Sequence, residues 1–175
     1  IGRSSGNKLL HCHIHDFDYS GISVGWTWGY AEGDAYGNLI EYNHVHHVGR
    51  GKLSDLGGVY TLGVSPGTRI RCNLFHDIVS RGYGGWAIYT DEGSTDILIE
   101  NNLCVRTNCC SFHQHYGRDN VVRNNIFAFG GQGGLHRMRV EAHRSFSFRR
   151  NIVLLDNDGQ VLAGNWQQLQ ADVDR

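Results

Sequence analysis

Short apolar runs recur along the chain, each interrupted by polar residues and closed by an asparagine. The segments Leu39–Ile40–Glu41–Tyr42–Asn43, Arg69–Ile70–Arg71–Cys72–Asn73, Leu98–Ile99–Glu100–Asn101–Asn102, Val121–Val122–Arg123–Asn124–Asn125 and Ser147–Phe148–Arg149–Arg150–Asn151 superimpose position for position. The closing Asn recurs at intervals of 30, 29, 23 and 26 residues. An earlier degenerate copy, Leu9–Leu10–His11–Cys12, puts Cys12 in the Asn position. A second apolar run follows each Asn, as in Leu74–Phe75, Leu103–Cys104, Ile126–Phe127 and Ile152–Val153. Two or three short strands per period of this length match one turn of a solenoid. No segment carries a long 3.6-residue pattern, which argues against helical and leucine-rich repeats. The pattern predicts one all-β domain, a single-stranded parallel β-helix of about six coils over residues 1–164. The polar tail, residues 165–175, is expected to form a short helix that caps the open end of the core.

Stacked Asn side chains in such a column can hydrogen-bond from coil to coil and hold the turn between two strands. Two positions before each Asn stand Glu41, Arg71, Glu100, Arg123 and Arg149. The first four alternate in sign, which predicts an outward, exposed ion-pair ladder worth about 0.2–1 kcal/mol per pair. A second column aligns Ile22–Gly25, Val59–Leu62, Ile88–Asp91, Phe112–His115 and Met138–Glu141. By strand alternation Ile22, Val59, Ile88, Phe112 and Met138 point inward. Tyr60, Tyr89, His113 and Arg139, then Asp91, His115 and Glu141, face outward on rungs about 4.8 Å apart. That face is the candidate site.

Composition narrows the classes. Glycine is abundant, at 24, against a single proline, which suits many turns needing positive φ between short strands. Sixteen basic against 17 acidic residues leave no basic stripe for nucleic acid, and no apolar run is long enough for a membrane helix. Five cysteines (Cys12, Cys72, Cys104, Cys109, Cys110) are odd in number and show no C-x-x-C zinc spacing. Three of them fall at repeat positions expected to be interior, so small buried thiols are the expectation. The chain starts at Ile1 and enters its first coil almost at once. An N-terminal part of the parent is therefore expected to lie outside it, leaving an export signal unreadable. Exposed solenoid ends would permit an oligomer.

Four carboxylates, Asp55, Asp91, Glu92 and Glu141, belong to the candidate face. Glycoside hydrolysis needs two carboxyls flanking the scissile bond, one protonated and one ionised, and adjacent rungs of a solenoid supply such pairs. Asp55 and Asp91 are each followed closely by glycine, so both also read as turn formers. Trp26, Trp28, Tyr60, Trp86 and Tyr89 offer flat faces for sugar C–H groups and polar handles for hydroxyls. The run Gly25–Tyr30, G-W-T-W-G-Y, is placed where a loop would overhang the groove. His13, His15, His44, His46 and His47 bring a zinc site into consideration. His15, His46 and His76 share one repeat position, however, and a stacked ladder at a turn explains them without metal. No metal or other cofactor is expected. His113 and His115 differ, since they stand beside the Asp91 rung, where they can bind substrate or tune a carboxylate.

The ordered set G-I-S-V-G-W-T-W-G-Y, N-L-I-E-Y-N-H-V-H-H-V-G, S-D-L-G-G-V-Y-T-L-G-V-S-P-G-T, Y-G-G-W-A-I-Y-T-D-E-G-S, F-H-Q-H-Y-G and R-N-N-I-F-A-F resembles the β-helical glycoside hydrolases of family 141. The resemblance spans about residues 20–155. It implies a right-handed, pectin-lyase-like β-helix acting on plant cell-wall glycans such as pectin or xylan side chains. It also implies that Asp55 and Asp91 match the family's catalytic aspartate pair, and that the full-length parent is secreted or periplasmic. Family enzymes are several times longer, so a groove wall or subsite is expected to be missing here. Two rivals stand beside hydrolysis. One is a polysaccharide lyase or epimerase on the same fold, which calls for cations to neutralise a uronate. The other is a non-catalytic glycan-binding or structural solenoid.

Overall fold

The structure is a computed structural model describing residues 1–166 and the backbone of 171–173. Among the described residues there is no helix, and every paired strand is parallel to its neighbours in three stacked sheets of seven, six and six strands, with one further two-stranded pair. The chain visits the three sheets in turn. One circuit runs through Leu39–Glu41 in the first sheet, His44–Val48 in the second and Gly57–Leu62 in the third. The next runs through Arg69–Arg71, Leu74–Ile78 and Trp86–Thr90, each lying directly on its predecessor.

The asparagine column forms as the repeat spacing implies. Asn43 donates from its backbone N–H and Nδ2 to Asn73 Oδ1 at 2.9 and 3.0 Å. Asn73 does the same to Asn102, Asn102 to Asn125, and Asn125 to Asn151. Cys12 N–H donates to Asn43 Oδ1 at 3.0 Å, which confirms its place as the degenerate first member. The column answers a backbone need. In every circuit the residue before it (His11, Tyr42, Cys72, Asn101, Asn124, Arg150) sits in the left-handed region, φ 51–57°. Such a residue turns the chain sharply at a cost, and leaves neighbouring amides without ladder partners. The amide side chains of the column supply those partners.

Inside, the first sheet contributes Ile40, Ile70, Ile99, Val122 and Phe148, the second Val45, Phe75, Cys104 and Phe127, and the third Ile22, Val59, Ile88, Phe112 and Leu135. Four expectations change. Phe112 pairs with Leu135, not Met138, so the fifth strand of the third sheet is Gly133–Arg137. Met138 is 52% exposed, and Arg139 and Glu141 lie beyond the strand. Glu41 and Glu100 in the ion-pair ladder are buried, although Arg71 meets Glu41 at 2.6 Å and Arg123 meets Glu100 at 2.8 Å. In each pair the arginine is the more exposed partner and the carboxylate the more buried one. Of the three cysteines expected inside, only Cys104 is fully buried; Cys12 and Cys72 are at the partly open turn. In the tail, Ala171–Val173 is a strand pairing with Phe146–Phe148 rather than a helical cap, while 167–170 and 174–175 lie outside the described residues.

The outer face of the second sheet bears the histidine ladder. His15, His46 and His76 stack at 5.1 and 4.8 Å with interplanar angles of 2° and 3°. Burial, then the neighbouring imidazoles, hold His46 down to about 4, so its ring is uncharged at neutral pH.

Candidate active site

Chemistry concentrates on the outer face of the third sheet. Tyr60 and Tyr89 are cross-strand partners, as are Tyr89 and His113, and His113 and His136. Alternation sets these side chains outward, yet Tyr60, Tyr89 and His113 are only 3%, 4% and 2% exposed. Tyr60 and Tyr89 form a second apolar layer with Leu62, Trp86, Cys109 and Cys110, against which Trp26 packs. The Tyr60 and Tyr89 rings lie 4.1 Å apart, Trp86 stacks on His113 at 4.1 Å and 11°, and His136 also stacks on His113, at 4.7 Å. Burial holds His113 well below its ordinary range, so it is a neutral imidazole.

Above this layer opens a cavity of about 680 Å³ lined by Asp55, Asp91, Glu92, His113 and His115 together with Tyr83, Trp86 and Tyr89. Asp91 is held on both oxygens: Tyr60 donates its hydroxyl to Oδ2, and His115 Nδ1 lies 2.8 Å from Oδ1. Burial alone would raise the Asp91 pKa, but the hydrogen bonds from His115, Tyr60 and the Glu92 backbone outweigh it and leave the carboxyl below its ordinary value. The same bond raises His115. Asp55 behaves oppositely. It accepts from the Tyr89 hydroxyl at 3.0 Å, but burial, with the nearby Asp91 charge, raises it. Two aspartates in one cavity are thus biased apart, one towards the acid and one towards the carboxylate.

Local backbone explains how each is aimed. Asp55 adopts φ 60°, which Asp tolerates better than most residues. Its N–H donates to the Tyr83 carbonyl at 3.0 Å, and Gly84, φ +94°, lies so close to the Asp55 backbone that a Cβ there would stand 2.6 Å from the Asp55 nitrogen. The glycine-rich approach therefore seats the Tyr83 loop on Asp55. Asp91 closes its strand in a turn, with its carbonyl accepting from Ser94 N–H at 2.9 Å. Both residues thus sit in turns, and both line the cavity.

The remaining expected residues distribute unevenly. Glu92 accepts from the Tyr116 hydroxyl at 2.9 Å at the cavity edge. Glu141 lies outside the cavity. It is held by Tyr30, by Arg139 at 3.0 Å and by His143 at 3.3 Å, and Arg139 in turn covers the Tyr116 ring at 4.1 Å. Trp28 is 59% exposed and does not line the cavity, because its loop stacks on the turn at Gly63 instead of arching over the groove. Trp26 and Tyr60 support the aromatic layer rather than the opening. The lining also takes in His136, Tyr83, Cys109 and Cys110, which the strand pattern alone does not single out. A signal for His136 exists in Leu135–His136, which repeats the Phe112–His113 pair one circuit on. Burial raises both thiols, Cys110 to about 12, so they are protonated and unreactive at neutral pH.

Replacing Tyr60 by Phe is expected to raise the Asp91 carboxyl pKa, since a donor to its ionised form is removed while burial remains. Carboxyl-detected NMR titration measures this; an unmoved or lowered midpoint would mean that the hydroxyl does not hold the carboxylate.

No protein-family model matches the chain, and neither a curated protein nor a solved structure matches it.

Proposed function

We propose that the chain is the catalytic part of a glycoside hydrolase built as a right-handed parallel β-helix, with Asp55 as general acid and Asp91 as base or nucleophile. The observation that carries this reading is the pair itself: two carboxyls in one aromatic-walled cavity whose surroundings bias them to opposite protonation states, the pattern that separates acid from base in sites of this kind. Asp55, biased towards its protonated form by burial, gives its proton to the glycosidic oxygen as that bond breaks. Asp91, ionised and steered by Tyr60 and His115, either deprotonates an attacking water or attacks the anomeric carbon itself. Trp86, Tyr89 and Tyr83 offer faces on which a sugar ring can stack. The substrate class is an oligo- or polysaccharide of the plant cell wall, and a parent acting on such a polymer is secreted or periplasmic.

Lyase or epimerase chemistry fits less well, because no Arg or Lys among the described residues lines the cavity to neutralise a uronate. The test is incubation with pectin- and xylan-derived oligosaccharides, reading reducing ends and ultraviolet absorbance. New reducing ends without unsaturated products, lost in Asp55→Asn, are expected. Unsaturated products would replace hydrolysis by elimination. Binding without turnover, equal in the wild type and Asp55→Asn, would make the chain a glycan-binding module.

A further inference from the structure

On a different sheet from the one that carries the cavity, the second sheet gathers imidazoles that hydrolysis does not use. Parallel register places His13 beside His44, and His15 beside His46 beside His76. Because residues two apart on a strand share a face, the two files of rings stand side by side. Their nitrogens converge between the files: His13 Nε2 lies 2.6 Å from His46 Nε2, and His44 Nε2 lies 2.7 Å from His76 Nε2. One ring nitrogen from each of His13, His44 and His46 falls within 4.8 Å of the other two. We infer that His13, His44 and His46 form a binding site for a divalent transition-metal ion of the zinc class, clamping the first circuit to the second.

Three features support it. Imidazole nitrogen is a donor that Zn²⁺, Ni²⁺ and Cu²⁺ accept readily, whereas Ca²⁺ and Mg²⁺ prefer oxygen. Ligand nitrogens about 2.0–2.1 Å from a tetrahedral ion stand about 3.4 Å apart, so ring movements on the order of an ångström from the present separations would seat one. The surroundings already fix part of the cluster. His76 Nδ1 lies 2.5 Å from Asp77 Oδ2, and Asp77 is gripped by Arg106 at 2.8 and 3.0 Å. An ionised carboxylate only accepts, so His76 carries its hydrogen on Nδ1 and turns its Nε2 lone pair towards His44. His76 is thereby fixed beside the three ligands and is not one of them. His13 is exposed and His44 and His46 are half-buried, so an ion can reach the site from solvent.

The site is separate from Asp91, Glu92 and His115, whose ligand atoms also come within 4.8 Å of one another, and calorimetry can tell the two apart. The full chain is titrated with zinc chloride near neutral pH in chelator-treated buffer, alongside His13→Ala, His13→Ala/His46→Gln and Asp91→Asn. One equivalent is expected to bind the wild type and Asp91→Asn alike, about tenfold or more weaker in His13→Ala, and not measurably in the double variant. His13→Ala alters an exposed side chain on an edge strand, so its fold is expected to survive, and circular dichroism checks this. Absence of zinc binding by the wild type, equal affinity in the folded His13→Ala variant, or loss of binding in Asp91→Asn would each overturn the inference.

Discussion

Replacing Asp91 by asparagine is expected to lower kcat for the proposed glycan hydrolysis by about 10²–10⁴-fold, the range for removing a positioned acid or base, and to lower the melting temperature as well. The structural part of that loss is specific. The substituted amide would keep a partner for the Tyr60 hydroxyl but lose the charge that holds His115. Hydrogen bonds to charged groups contribute about 1.5–3 kcal/mol each. Asp55→Asn should cost comparable activity while leaving stability unchanged or raised, since burial already disfavours its charged form. The contrast matters, because a merely structural pair of aspartates would lose stability in both variants.

The pH dependence follows with the sign worked out. Asp91 is depressed in the folded chain, so its contribution is present above the ordinary carboxylate value and is lost as pH falls through the folded one. His115 is raised, so its contribution is present below the ordinary histidine value and is lost as pH rises through the folded one. The pair therefore stabilises most fully between about pH 4 and 6.5. Asp55, raised, works against stability above its own folded value. Thermal melts across pH should show the wild type losing this margin on both sides and Asp91→Asn losing it throughout. A stability difference between them that does not change with pH would remove the ion pair from the account.

The second large effect falls on the asparagine column. Asn102→Ala is expected to destabilise the chain by roughly 4 kcal/mol, a large share of the marginal stability of a domain this size. Asn102 Oδ1 accepts both the backbone N–H and the Nδ2 of Asn73 at 3.0 Å, and its Nδ2 donates to the Ile70 carbonyl and to Asn125 Oδ1 at 2.9 Å. Truncation leaves these buried groups unpaired in a space that water reaches poorly, and each costs about 1–3 kcal/mol. Asn102→Asp sharpens the test. The carboxylate still accepts from Asn73 but faces two acceptors with no hydrogen to give, so it should be as damaging at neutral pH. As pH falls the protonated acid regains a donor, and stability should partly recover. Urea denaturation of both variants measures this; losses below about 1 kcal/mol would mean that the column marks the turns without holding them.

Much of the fold was legible because its governing interactions recur. The column from Asn43 to Asn151 and the runs before it are the same local solution written five times, and self-similarity makes register readable without knowing the whole. Register failed where the pattern thinned. Gly133 and Gly134 offer no side chains to align, and Met138–Glu141 alternates as a strand would. Only Leu135 filling the core between Phe112 and Leu162 decides the matter. The same slip placed Glu141 in the site and left His136 out of it.

The chain's own order of residues determined the circuits, the inward files of Ile, Val and Phe, and the gathering of Asp55 and Asp91 on neighbouring rungs, because each depends on spacing and alternation alone. Tertiary structure decided how the outward residues behave: that Tyr60 and His113 are sealed beneath a second layer, that Trp28 is not over the opening, and that the two aspartates are biased apart. Alternation states which way a side chain points but not what covers it. Asp91 is set by Tyr60 and His115, 31 and 24 residues away. Burial and charge at one carboxyl are summed over neighbours that meet only when the circuits stack.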